Sequence, residues 1–282
     1  MVKKIIRIIK LSFIQTDLTK ILDYLLAAAK LLPINDIKRI IYFLDRKYYH
    51  ISNIRAVNRI GPHNEDVLSV IIGSILGDAH ANNRSGEGVR ICYRKSIHHK
   101  EYLFWLYTFY YNRGYTSNLQ PRQYTSSLQS KEGKVYYGYE FNTFTFRSFS
   151  WIHNLYYKKG QKVIPLKIFE YLTPLALAVW SMSNGNFNPK DRKIELSTNF
   201  SVEKNVDKSK LIISMLRDRF GLVCSIDTCK KNNYAIVLSK ESVKLFQEIV
   251  APYIISSLKY KIGLDIYSKS YNQNHKTTPA ED

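Results

Sequence analysis

Apolar residues crowd into two short runs that lie 106 residues apart in the chain. The first reads Ile71-Ile72-Gly73-Ser74-Ile75-Leu76-Gly77-Asp78-Ala79, and the second Leu177-Ala178-Val179-Trp180-Ser181-Met182-Ser183-Asn184-Gly185. Each is long enough for two or three helical turns, is thinned by small residues and carries a polar residue at its C-terminal end. Gly73 and Gly77 are four apart and share one helix face. Ala178 and Ser183 thin the second run, where Val179 stands in place of a glycine opposite Gly73. Small residues on facing helices let two backbones approach closely. The pattern predicts two helices side by side, with Asp78 and Asn184 brought together at one end on a pseudo-two-fold axis. Two ordinary core helices are the alternative; the matched spacing and the matched sequel favour one fold unit repeated.

Around these runs the periodicity alternates between helical and strand-like. Gly61-Pro62 marks a boundary, and Asn64-Glu65-Asp66 supplies a cap and negative charge to a helix running to Asp78. Val89–Arg94 reads as a strand of a first hairpin, and Lys100–Asn112 as an aromatic-rich helix ended by Gly114. Thr116–Gln129 and Val135–Arg147 read as a second hairpin around Glu132-Gly133, Trp151–Tyr157 as a short helix, and Lys158–Lys162 as a basic loop. The second half repeats the order. It has a helix over Pro174–Asn184, a strand over Lys193–Asn199 and a helix over Val202–Phe220. A hairpin of Leu222–Cys229 and Tyr234–Leu238 turns over Lys231-Asn232-Asn233, and Glu241–Val250 is a last helix. Each half therefore reads α-β-β-α-β-β-α. Residues 1–60 read as a basic helical extension, 61–165 and 166–267 as the two repeats, and 268–282 as a loose polar tail.

Composition adds a partner. Forty-two basic against 23 acidic residues give a formal charge of +19, and 45% hydrophobic residues argue for a folded chain. An excess of that size points to a polyanion, nucleic acid first and a membrane surface second. No apolar run approaches the ~20 residues of a spanning helix. Three cysteines, Cys92, Cys224 and Cys229, fall short of a structural zinc site, and their odd number gives no disulfide framework; a reducing compartment fits. The 22 tyrosines, with abundant Ile, Lys and Asn, match A/T-rich codons of the kind an organellar genome supplies. No acidic residue precedes Asp17, so an organellar transit peptide is the alternative to a phosphate-contacting extension.

With its paired motifs, its basic segment Lys162-Val163-Ile164-Pro165, the lead-in Tyr171-Leu172-Thr173-Pro174 and Pro252-Tyr253 followed by Lys261, the chain resembles single-chain, two-repeat LAGLIDADG homing endonucleases and group I intron maturases over about residues 65–265. The resemblance implies an α+β fold of two pseudo-symmetric repeats, whose antiparallel sheets form a saddle along the major groove of a long duplex. It also implies a monomer, an acidic residue at the foot of each motif helix holding magnesium, and flanking bases. On this mapping Asp78 and Asn184 are the metal positions, and Lys162 and Lys261 order water or neutralise phosphate. Asn199 falls near the second site. Two metals clamping the attacking and leaving oxygens would suit in-line phosphoryl displacement.

The departure lies in the second motif, where relatives commonly end Asp-Asp-Gly and this chain has Ser183-Asn184-Gly185. An amide offers a carbonyl oxygen but no charge. Asp191 and Glu195 lie seven and eleven residues on, beyond the expected helix foot. The favoured role is therefore an organellar, mitochondrial maturase that binds group I intron RNA, or an endonuclease derivative that at most nicks. A competent magnesium-dependent double-strand endonuclease and a non-catalytic structural RNA-binding protein are the rivals.

Strand alternation can gather bases on one sheet face, so Arg90, Arg94, Lys95, Arg122, Lys134, Arg147, Lys193, Lys230 and Lys231 are expected to contact groove and phosphate. Tyr136, Tyr137 and Tyr139 are equally suited to base stacking and to a half-buried sheet. His80 is a candidate near phosphate, His98-His99 a solvated pair, and Cys224 with Cys229 strand packing.

Overall fold

The computed structural model describes residues 54–84, 86–126, 136–163, 165–197, 206–229 and 233–264. The described residues from Ala56 onward form one compact unit. Residues 1–53 of the expected N-terminal extension, the Glu132-Gly133 turn and the polar tail lie outside the described residues.

Each repeat opens on a buried helix and builds a four-stranded antiparallel sheet after it. In the first, α1 (Glu65–Leu76) leads to β1 (His80–Asn83), β2 (Val89–Ser96), α2 (Lys100–Asn112), β3 (Arg122–Ser126), β4 (Tyr136–Asn142) and α3 (Ser150–Tyr156). A small hairpin, β5 (Tyr157–Lys158) and β6 (Gln161–Lys162), follows. The second has α4 (Pro174–Asn184), β7 (Gly185–Asn188), β8 (Lys193–Ser197), α5 (Val206–Phe220), β9 (Cys224–Cys229), β10 (Asn233–Leu238) and α6 (Lys240–Val250). Strand orders β1-β2-β4-β3 and β7-β8-β10-β9 are the same, so the expected α+β repeat is present twice.

The pairing of α1 with α4 sits at the centre. Val67 and every residue from Ser69 to Gly77 are buried, as are Ala176 to Met182. A β-carbon placed on Gly73 would stand 2.3 Å from the Ala176 carbonyl oxygen and 2.9 Å from Val179 Cβ. At the opposite end from the motif feet, Thr173 caps α4 by accepting from Ala176 N and donates to Ser69 Oγ at 2.8 Å. Pro174, at the first helical position, loses no hydrogen bond there.

Aromatic side chains fill the layer beneath the first sheet. Tyr93 stacks on Phe141 with ring centroids 4.9 Å apart, and its hydroxyl lies 2.6 Å from that of Tyr110. Residues 56–60 join this repeat: Arg147 N donates to Arg59 O at 3.0 Å, and the Arg59 guanidinium donates to Thr145 O at 3.1 Å. Among the described residues, no helix is long and apolar enough to cross a membrane.

Several boundaries differ from the sequence reading. Helix α1 ends at Leu76, with Gly77 as its cap, so Asp78 stands just beyond the helix. Asn64 caps through its backbone, without a side-chain hydrogen bond. Strand β3 begins at Arg122 rather than Thr116, and β4 ends at Asn142. Beyond Asn142 the alternation persists, but only Val89 bridges Phe146, and Arg147 starts a 3-10 turn. The basic loop 158–162 is a tight hairpin. Lys159 at φ 50° and Gly160 at φ 76° occupy consecutive left-handed positions, as a type I′ turn requires.

Candidate nucleic-acid interface and active site

The motif helices meet at their feet because neither carries bulk there. A β-carbon on Gly77 would lie 2.5 Å from Ser183 Cβ, so Asp78 and Asn184 each directly follow a residue at which the two helices stand in close approach. Tyr102 on α2 ties the repeats together at this level. Its buried hydroxyl donates to Val179 O at 3.2 Å and lies 3.1 Å from Ser183 Oγ.

Three lysines converge on this junction. Lys162, carried by β6, donates to Ala79 O at 3.2 Å and lies 3.5 Å from Gly77 O. Lys261, carried by the 3-10 segment Ser256–Ile262, donates to Met182 O at 2.7 Å and Ser183 O at 3.0 Å. The two are thus quasi-equivalent, each seated on the carbonyls at the foot of its own repeat's helix. Burial lowers both ammonium pKa values to about 8 against the pull of Asp78, and for Lys261 the charge of Lys95 adds to the lowering.

The third, Lys95, is where strand alternation overturns the expectation of groove contact. On β2 the residues Val89, Ile91, Tyr93 and Lys95 are buried, while Arg94 and Ser96 are exposed. Lys95 therefore leaves the strand toward the helices. Its ammonium donates to both carboxylate oxygens of Asp78, at 2.5 and 2.7 Å, and lies 5.0 Å from the centre of the Tyr102 ring. The Lys95 side chain is 5% exposed and that of Asp78 31%. Burial lowers the Lys95 pKa, and the Asp78 carboxylate opposes that shift. His99, in the 3-10 turn before α2 rather than on the helix, is half-buried near the same junction. Burial lowers its pKa, and the charges of Lys261 and Lys95 lower it further.

These residues do not make the magnesium site that the motifs imply. Asp78 supplies the junction's one motif carboxylate, and both its oxygens are engaged by an ammonium. Asn184 contributes no charge, and the carbonyls of residues 79, 182 and 183 accept from lysines. Among the described residues, no cluster of three or more His, Cys, Asp or Glu side chains is arranged to hold a metal. Asp191 accepts from Asn188 Nδ2 in the β7–β8 turn, and Glu195 pairs with Asn186 across the second sheet. Hard divalent cations bind through oxygen donors, carboxylates foremost, and an ammonium hydrogen-bonded to those oxygens competes for them.

The outward face of the first sheet holds the other bases. Arg94 and Arg122 flank Glu140 in one cross-strand row, Arg94 Nε donating to Glu140 at 2.9 Å and Arg122 forming the second ion pair. Burial works against the Glu140 carboxylate, but the bonds from Arg94 and Arg122 hold its pKa below the usual range. The Arg94 guanidinium lies 4.4 Å over the ring of Tyr124. Arg90 shares this face by strand parity, and Arg147 is exposed but off the sheet. Tyr139 packs against Phe104 at 5.5 Å, on the helix side, which favours the half-buried reading for that tyrosine. Tyr136 and Tyr137 are exposed.

On the second sheet Lys193 is exposed opposite Asn188, and Glu195 shares its strand parity. Lys134, Asn199, Lys230 and Lys231 lie outside the described residues. His80 accepts or donates to the Tyr157 hydroxyl at 2.9 Å, and that hydroxyl also accepts from Ala81 N. Burial lowers the His80 pKa, with the charges of Lys162 and His153 adding to it. Cys224 is a buried free thiol, as strand packing requires.

The sequence profile of the LAGLIDADG DNA endonuclease family matches residues 68–246. Cytochrome b mRNA maturase bI2 of Saccharomyces cerevisiae is 37% identical over 73% of this chain and 49% of its own length. The chain thus spans about half the length of that relative. Intron-encoded endonuclease ai4 of Dictyostelium discoideum is 36% identical over 56% of this chain and 99% of its own. In fold, the homing endonuclease I-WcaI bound to its DNA recognition sequence is similar, with a TM-score of 0.61 at 23% identity over 71% of this chain and 86% of that one. The profile match, which runs from the first motif helix to the last helix of the second repeat, shows that the chain belongs to the LAGLIDADG DNA endonuclease family.

Proposed function

We propose that the chain is a monomeric nucleic-acid-binding protein that assists the splicing of a group I intron, and that it does not cut both strands of duplex DNA. The observation that carries this reading is the charge balance at the helix feet, three ammonium groups around one carboxylate with an amide in the second acidic position. Such a junction attracts phosphate. The arginines on the outward face of the first sheet extend the attraction over a longer stretch of backbone, in the manner of phosphate contacts that position a nucleic acid without reading it. Lys162 and Lys261, each seated on the carbonyls at the foot of its own repeat's helix, are the donors a phosphate oxygen entering the junction would meet.

The similarity to a cytochrome b mRNA maturase supports intron RNA as the partner and the mitochondrion as the compartment. Magnesium supplied to a cleavage-competent member of the family would activate water; this donor set does not favour holding it. Cleavage, where it survives, is confined to a nick. Homology to an intron-encoded endonuclease supports the rival reading, in which a long duplex is the substrate and both strands are cut.

A splicing assay tests the proposal. Purified protein added to the unspliced precursor containing its own intron is expected to raise the rate of exon ligation and to protect a defined set of intron nucleotides. An unchanged splicing rate with no protection would overturn it.

A further inference from the structure

We infer that Lys95 is a built-in counter-cation: its ammonium occupies the cation position at the Asp78 carboxylate and keeps divalent metal out of the helix-foot junction. A surface ion pair between long side chains is loosely held. This one is not of that kind. Lys95 sits on the buried parity of β2, so its stem is committed to the interior by the same alternation that buries Ile91 and Tyr93. Its ammonium engages both carboxylate oxygens, and the Tyr102 ring lies 5.0 Å from it. Tyr102 is in turn anchored to Val179 of the other repeat, so the ammonium is placed by the helix pairing itself. An ammonium at this point forms hydrogen bonds to the oxygens a divalent ion would coordinate. Repulsion between like charges in a half-buried junction makes the two occupants mutually exclusive. The close helix approach, the Asp78 carboxylate and the flanking Lys162 and Lys261 all meet at this junction, so removing the one side chain of Lys95 would leave the Asp78 carboxylate without its ammonium.

The inference concerns the free protein and stands apart from the splicing reading, so its test omits nucleic acid. Manganese is titrated into the full chain, with bound and free ion distinguished by electron paramagnetic resonance, for wild type, Lys95→Gln, Lys95→Met and the double variant Asp78→Asn/Lys95→Gln. Wild type is expected to show no Asp78-dependent site in the millimolar range. Removing one positive charge from within ~4 Å of a divalent ion strengthens its binding by more than about tenfold at protein-surface dielectric. Lys95→Gln or Lys95→Met is therefore expected to gain one manganese site, which the double variant loses. Lys95→Met guards against misfolding of the glutamine variant, and thermal melts identify which variants are folded. An Asp78-dependent manganese site in wild type would overturn the inference. So would the failure of both folded Lys95 variants to gain a site.

Discussion

Gly77 faces Ser183 so closely that a β-carbon on the glycine would stand 2.5 Å from that of the serine. The same approach recurs one turn earlier, where Gly73 meets Ala176 and Val179. Everything at the junction depends on this pairing, because it brings the foot of each motif helix, with its lysine, beside the other.

Valine at Gly73 or Gly77 is therefore expected to force the helices apart. Overpacking of this kind costs about 1–3 kcal/mol, more than the gain of under ~1 kcal/mol in helix propensity at Gly73, and Gly77, as the helix cap, has no such gain. The urea midpoint should fall for Gly73→Val and Gly77→Val, and not for valine at the exposed Lys244 on α6.

The Asp78–Lys95 pair makes a second expectation. Asp78→Asn leaves a buried ammonium with a neutral partner, at a cost of about 1.5–3 kcal/mol for a hydrogen bond to a charged group, reduced by the partial exposure of Asp78. Adding Lys95→Met to Asp78→Asn removes the stranded charge, so the double variant should be more stable than Asp78→Asn alone. Non-additive denaturation midpoints in a double-mutant cycle check this.

Lys162 and Lys261 give binding a pH dependence that ordinary lysines lack. In the free protein both titrate at about 8, and a phosphate oxygen between them favours the charged forms. Above pH 8 binding must take up protons, so affinity should fall between pH 7 and pH 9 and stay flat in Lys162→Met/Lys261→Met. The sign for stability is opposite. The unfolded chain keeps these protons to about pH 10.4, so between pH 8 and 10 it binds more protons than the folded one, and stability rises with pH through that window. Fluorescence-detected binding and urea denaturation across the range separate the two effects.

On the sheet, Glu140 holds the guanidinium groups of Arg94 and Arg122. Glu140→Gln should release both toward phosphate and strengthen binding to any polyanion. Conversely, Arg94→Gln and Arg122→Gln should each flatten the plot of log K against log salt by about 0.9 for B-form DNA, or about 0.7 for single strands.

The repeat, the order of elements and the close approach of the two helix feet at Gly77 and Ser183 were legible because each rests on local periodicity or on spacing between small residues. Lys162 and Lys261 were legible through resemblance of short segments. Lys95 was misassigned among the groove contacts, although its parity with Ile91 and Tyr93 on β2 was the available signal. Lysine is so seldom buried without a partner that the expectation of an outward-facing base outweighed this parity, and the partner, Asp78, lies 17 residues earlier in the chain, where no local pattern pairs the two. His99 was missed because its approach to the junction depends on a 3-10 turn that brings β2 into α2. Arg147 was placed on a strand because alternation continues past Asn142; among the described residues no partner strand continues the ladder beyond the bridge at Phe146.

The most direct test of the central claim is incubation of the protein with magnesium and a supercoiled plasmid carrying the uninterrupted insertion site of its intron. A junction whose one motif carboxylate is neutralised by Lys95, and whose second acidic position is Asn184, should bind that plasmid and yield no linear product, with nicked circles as the upper limit. Linear DNA cut at the insertion site would contradict the account.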